Sequence, residues 1–342
     1  MAAIERVAVV GSGTMGRQIA IQIARGGVPV ALYDLDSGAL GRAATAQRDF
    51  VAGFVANGTL AAAEAAPLLA RIRYDAELGA AVRDADLIIE AVPEQVALKR
   101  QIFAALDEHA SDGAILATNS SSLRVSLLED ATARPERCAN FHFYIPVWDN
   151  PMVEVGGGTR TDPAALDALD AFARRIGLLP LRVLRESTGF IFNRVWRAIK
   201  KEVLAVADGG IASFEDIDRA WMIHYRTPKG PFGKMDEIGL DVVQAIEEVY
   251  AAESGDPADR PPPILTARVA RGDLGQKSGR GFYAYPDPAW AAPDFLTPEA
   301  TPEATPEATP EATSGGTPGG AATGDEDRPG AERTTNDDEE AR

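Results

Sequence analysis

Several residue types are scarce, and each shortage excludes something. Cys138 is the one cysteine among 342 residues, so no internal disulfide can form and a reducing cytoplasm is the expected compartment. It falls in a strand-like segment and reads as a small buried apolar residue. Histidine occurs three times, at 109, 142 and 224, and no metal is expected. Lysine supplies 6 of the 34 basic residues, and no basic stripe exists to neutralise phosphates, which argues against a nucleic-acid partner. No apolar run is long enough to span a bilayer, so no membrane partner is expected. The first strand starts almost at once, leaving no room for a signal peptide. The net charge of −17 is uneven: Thr297 to Arg342 holds 12 acidic and 3 basic residues.

What is present begins at residue 7. Val7 to Val10 has the composition and length of a buried strand. It stops at a G-x-G-x-x-G turn made of Gly11, Ser12, Gly13, Thr14, Met15 and Gly16. Met15, Ile19 and Ile23 then recur every fourth residue, which is one face of a helix. The first glycine permits a tight turn, the second lets backbone approach a pyrophosphate, and the third lets helix pack close to strand. The helix N-terminus presents free N–H groups to phosphate. A second strand, Val28 to Tyr33, delivers Asp34, whose carboxylate can accept from both hydroxyls of an adenosine ribose and would repel a 2′-phosphate. The unit predicts NAD rather than NADP.

Further strands are expected at 71–75, 87–92, 114–118, 139–143, 152–155 and 181–183, with helices between most of them, for example 164–175. This alternation predicts an α/β Rossmann domain, a doubly wound and mostly parallel sheet, over residues 1–185. After Ser187 the pattern turns helical. Helices are expected at 189–205, from a Ser213–Asp216 capping box through Ala220, and around Leu240, Val243, Ile246 and Tyr250. These make an all-α second domain over 186–286. Residues 287–342 read as a linker and a disordered acidic tail that opens with four TPEA repeats.

Ligands of such sheets bind beyond the carboxyl ends of the strands. The polar residues at those ends are Glu94, the run Asn119 to Ser122, His142 and Glu154. Oxidising an alcohol with NAD needs a base for the hydroxyl proton while hydride leaves the same carbon. Histidine suits that task, and a buried glutamate beside it fixes the tautomer and stabilises the imidazolium. Serine and asparagine can hydrogen-bond the substrate oxygen. Taken singly, His142 reads equally as a core histidine, Ser120 to Ser122 as a polar loop or cap, and Glu154 as part of an ion pair within the sheet. His109 reads as a helix flank, and His224 as lying beyond the second domain's capped helix.

The segments EAVPEQVALKRQIF (90–103), TNSSSL (118–123), HFYIPVWDNPMVEV (142–155), STGFIFNR (187–194), GPFGKMDEIGLD (230–241) and LGQKSGRGFYAY (274–285) together resemble the L-3-hydroxyacyl-CoA dehydrogenase family, its short-chain 3-hydroxybutyryl-CoA type above all. The resemblance covers nearly all of residues 4–286. It implies His142 as catalytic base, Glu154 as its carboxylate partner, Ser121 against substrate and nicotinamide, and Asn193 reaching the site from the second domain. It implies Glu94 and Lys99 at cofactor-contacting positions, a homodimer through the helical domain, and an acyl-CoA substrate. Two departures stand out. Ile145 replaces the family's cofactor-contacting asparagine and offers no hydrogen bond. The helical hairpin after Asp34 has only Arg42, Arg48, Arg71 and Arg73 to meet CoA phosphates.

Three readings follow. The first is NAD-dependent oxidation of a 3-hydroxyacyl-CoA. The second keeps the chemistry on a free 3-hydroxy acid, as in relatives resembling gulonate and carnitine dehydrogenases; the Trp148–Asp149 segment, which departs from the family, motivates it, with Asp149 able to meet a cationic or hydroxylated substrate. The third is a nucleotide-binding protein without catalysis.

Overall fold

The alternation of short apolar segments and helices resolves into one layered sheet in the computed structural model, which describes residues 3–297. The TPEA repeats and the disorder expected of them lie outside the described residues. The chain runs β1 (Val7–Val10), α1 (Thr14–Arg25), β2 (Val30–Tyr33), α2 (Ser37–Ala56), α3 (Ala62–Leu69), β3 (Ile72–Asp75), α4 (Leu78–Val82), β4 (Leu87–Glu90), α5 (Val96–His109), β5 (Ile115–Thr118), β6 (Cys138–Phe143), β7 (Met152–Gly157), α6 (Pro163–Arg175) and β8 (Leu179–Val183). The strands are ordered β3-β2-β1-β4-β5-β6-β7-β8. Every neighbouring pair is parallel except β6 and β7. The order reverses between β1 and β4, which opens a crevice above their carboxyl ends.

Alternation along each strand builds a core on both faces. Val7 and Val9 join Ile19, Ile23, Leu32 and Phe141 on one side, while Ala8 and Val10 join Ile88, Phe103, Leu116 and Cys138 on the other. Cys138 is thus a buried small residue, as its setting suggests. Trp148 belongs to the first of these cores. Its ring packs at 4.9 Å from Phe50 and 5.0 Å from Phe54, both on α2.

The remaining elements are helical: α7 (Phe192–Asp208), α8 (Phe214–Tyr225), α9 (Pro231–Ile238), α10 (Leu240–Ser254) and α11 (Pro263–Ala270). They close around Leu204, Phe232, Met235, Leu240, Leu265 and Phe282. Several boundaries differ from expectation. α7 starts at Phe192, not Gly189, because Gly189 and Phe190 have φ of 73° and 48°, outside the right-handed helical region. α8 continues past Ala220 to Tyr225, so His224 lies within it rather than beyond it. The Ser213–Asp216 box is one-sided: Ser213 Oγ accepts from the Asp216 N–H at 3.0 Å, but the Asp216 carboxylate takes the Ser213 hydroxyl instead of its N–H. α9 and α11 escape periodicity because each is short and begins at a proline. Among the described residues no helix is long and apolar enough to cross a membrane.

Candidate active site

Antiparallel pairing of β6 with β7 sets His142 directly opposite Glu154. His142 Nδ1 lies 2.9 Å from Glu154 Oε2. The same oxygen accepts the Tyr144 hydroxyl at 2.6 Å. Its partner, Oε1, accepts the N–H groups of Ile191 and Phe192 at 2.8 and 2.9 Å. Those amides open α7, where an anion is favoured by unsatisfied N–H groups and the helix dipole. Burial alone would raise the Glu154 carboxyl. The His142, Tyr144 and Phe192 hydrogen bonds outweigh it and hold the group below the usual carboxylate range. Glu154, itself buried, therefore presents a full charge to the imidazole.

A second acid stands on the opposite rim. Glu94 Oε1 accepts the hydroxyls of Ser120 and, at 2.9 Å, Ser122. Its Oε2 lies 3.2 Å from Lys99 Nζ. Burial pushes Glu94 upward, but Lys99 and the two serines bring it below its ordinary value. Lys99 is itself buried. Its ammonium donates to both oxygens of Glu90 at 2.7 and 2.9 Å and to the Val92 carbonyl at 3.3 Å. Glu90 also accepts the Thr118 hydroxyl at 2.7 Å. Lys99 thus stands behind Glu94 and fixes it, with its donors engaged by protein. Ser121, between the two bonded serines, makes no hydrogen bond among the described residues, and neither does the Asn193 side chain.

Two cavities meet at Glu94, Ser121 and Asn193. One, of about 370 Å³, is bounded by Met15, Val92, His142, Tyr144 and Ile145. The other, of about 580 Å³, is mainly apolar and is bounded by Trp196, Val242, Ile246 and Tyr250 of α7 and α10. Trp148 lines neither; its indole is held in the core against α2.

The glycine turn fits a dinucleotide. A Cβ built on Gly16 would stand 1.8 Å from the Gly11 carbonyl oxygen, so helix and strand approach as closely as glycine allows. A Cβ on Gly13 would meet nothing within 4 Å, so the turn is open where a pyrophosphate would lie, with Gly13 and Thr14 exposed. Asp34 follows β2 on the same rim. Its Oδ2 accepts the Ser12 N–H and hydroxyl, each at 2.8 Å, which ties the acid to the turn. Met15 reaches from the turn into the smaller cavity beside His142.

Family models agree with this geometry. The model of the 3-hydroxyacyl-CoA dehydrogenase NAD-binding domain matches residues 6–187, and that of the C-terminal domain matches 189–285. The chain belongs to the 3-hydroxyacyl-CoA dehydrogenase family. The dehydrogenase is 35% identical over 280 residues to a 3-hydroxybutyryl-CoA dehydrogenase of Clostridioides difficile, covering 82% of this chain and 99% of that one. It is 32% identical over 285 residues to the 5-formyl-3-hydroxy-2-methylpyridine 4-carboxylate 5-dehydrogenase of Mesorhizobium japonicum, covering 82% and 91%. Its fold matches the crystal structure of (S)-3-hydroxybutyryl-CoA dehydrogenase from Ralstonia eutropha with a TM-score of 0.79 at 33% identity, over 83% of this chain and 100% of that one. The dehydrogenase is accordingly an NAD-linked oxidoreductase, and its first domain is the family's NAD-binding domain. Sequence reasoning missed Tyr144 and Glu90 as members of the polar network. Tyr144 had a signal: it stands two residues after His142, so the strand period turns both to one face.

Proposed function

We propose that this dehydrogenase oxidises the 3-hydroxyl of a 3-hydroxyacyl-CoA, or runs the reverse reduction, with His142 as general base. The observation that carries the reading is the His142–Glu154 pair on the wall of a cavity that also reaches Ser121 and Asn193. Glu154 keeps the proton on Nδ1, which leaves Nε2 for the substrate hydroxyl. As the proton arrives at Nε2, the charge on Glu154 stabilises the imidazolium. Ser121 and Asn193, with side-chain hydrogen-bonding capacity unused among the described residues, hold the substrate oxygen and orient C3. NAD, when bound, accepts the hydride. Gly11 to Gly16 would hold it by backbone N–H groups, and Asp34 by hydrogen bonds from the ribose hydroxyls. Glu94 borders both cavities and would contact the cofactor there, with Lys99 supporting it from behind. Movement of the helical domain (residues 186–286) against the sheet domain (residues 1–185) excludes water.

The reading extends to a homodimer through the helical domain, supported by the exposed apolar side chains Ile211, Ile223 and Tyr225. The test is NADH absorbance with 3-hydroxybutyryl-CoA and longer 3-hydroxyacyl-CoAs beside free 3-hydroxy acids. Turnover of a thioester that falls about a hundredfold or more in His142→Gln is expected. Failure to turn over any acyl-CoA overturns the reading.

A second reading, a free 3-hydroxy acid as substrate, draws on the α2–α3 region. Arg42 is already 3.0 Å from Asp36, and Arg73 is 3.1 Å from Asp75. Two of the four bases there are thus neutralised before any CoA phosphate arrives. The relative from Mesorhizobium japonicum is named for a carboxylate without coenzyme A. Competition by free CoA against the substrate would exclude this reading.

A further inference from the structure

We infer that Tyr144 is a positioning residue that shares the Glu154 charge with His142 and thereby sets the pH at which the base becomes competent. The inference rests on the reading of His142 as base. Its observation is a competition for one atom. Glu154 Oε2 accepts the imidazole at 2.9 Å and the phenol at 2.6 Å. A hydrogen bond to a carboxylate draws charge toward its donor, so a second donor weakens the field that the first one feels.

The geometry separates this role from simple scaffolding. The carboxylate is held independently through Oε1 by the Ile191 and Phe192 N–H groups. Removal of the phenol oxygen leaves those two bonds in place, so Glu154 keeps its position. The Tyr144 ring has its own packing, 4.5 Å from the His142 ring and 5.4 Å from Phe192 between centroids. Phenylalanine retains both contacts. The surroundings offer few competing charges. β7 presents Glu154, α7 presents backbone amides and the Phe192 ring, and the Phe190 ring lies 5.9 Å from the imidazole. Across the cavity stand Glu94 and Lys99, which bind each other at 3.2 Å. The phenol itself stays protonated: burial and the Glu154 carboxylate push it far above its usual range. It is a permanent donor and not a proton carrier.

Tyr144→Phe returns the whole Oε2 charge to the imidazole and favours the imidazolium. The experiment is a histidine side-chain NMR titration of the full chain, wild type against Tyr144→Phe, without cofactor or substrate. Only three histidines contribute, and His142→Gln assigns the signal of interest. The His142 midpoint is expected to rise by about half a unit to one unit in Tyr144→Phe. The acid limb of kcat/KM should move by the same amount while the melting temperature stays close to wild type. An unchanged or lowered midpoint overturns the inference, whatever the activity. Failure of the underlying reading would show separately, as turnover undiminished in His142→Gln.

Discussion

At the scale of single residues, the glycine turn separates fold from cofactor. Gly16 has the Gly11 carbonyl where its side chain would be, whereas Gly13 faces open space. Gly13 also has an ordinary φ of −63°, which alanine adopts without strain. Gly16→Ala is therefore expected to lower stability by on the order of 3 kcal/mol, read as a drop in melting temperature. Gly13→Ala is expected to melt like wild type and to raise the KM for NAD about tenfold or more, because its methyl occupies the phosphate's approach. A steady-state titration of NAD beside a thermal melt checks both. The pairing of His142 with Glu154 was legible because a strand-end histidine followed by an acid in the next strand is a recognisable arrangement. Tyr144 was not, because an aromatic beside a strand reads as packing until register shows that its hydroxyl meets the same carboxylate.

At the scale of elements, the helical half is fastened by two buried acids. Asp218 on α8 accepts the Phe232 and Gly233 N–H groups at the start of α9, at 2.8 and 2.9 Å, and the Tyr283 hydroxyl at 2.9 Å. Asp236 on α9 accepts the Phe282 and Tyr283 N–H groups, at 2.8 and 2.9 Å. Gly230 and Gly281 leave no room for a Cβ beside these carboxyls, which accounts for glycine in the GPFG and SGRGFY motifs. The motifs could be read as family marks, but their mechanical purpose could not, since it joins residues far apart in sequence. Burial pushes the Asp218 carboxyl up to about 6, against the pull of its donors. A carboxyl raised on folding contributes stability that is full below its unfolded value and is lost as pH rises through about 6. The melting-temperature advantage of wild type over Asp218→Asn should therefore shrink between pH 4.5 and 7.5, by roughly 2 kcal/mol in stability. An advantage that grows with pH would contradict this.

At the scale of the molecule, composition set off the acidic stretch, and the change from strand–helix alternation to helical spacing after Ser187 separated the sheet domain from the helices. The strand rhythm foretold the sheet well, since buried β4, β5 and β6 read as short apolar runs between turns. Placement of the loop after β6 was beyond reach, because Trp148 could be assigned to the core only once α2 was seen to cover it. The family models end at residue 285. Removal of residues 298–342 is accordingly expected to leave kcat/KM unchanged and the number of chains per particle by light scattering the same as in the full chain. A large fall in either would place function in the acidic stretch.

Glu154 has one oxygen toward each half of the molecule: one faces the His142 imidazole, the other accepts the amides at the start of α7. If α7 swings off β7, that anchorage is lost and the acid is free to turn away from the imidazole. On the proposed reading of His142 as base, parting the two halves and disarming the proton acceptor would be a single event, so that an open molecule would also be a chemically quiet one.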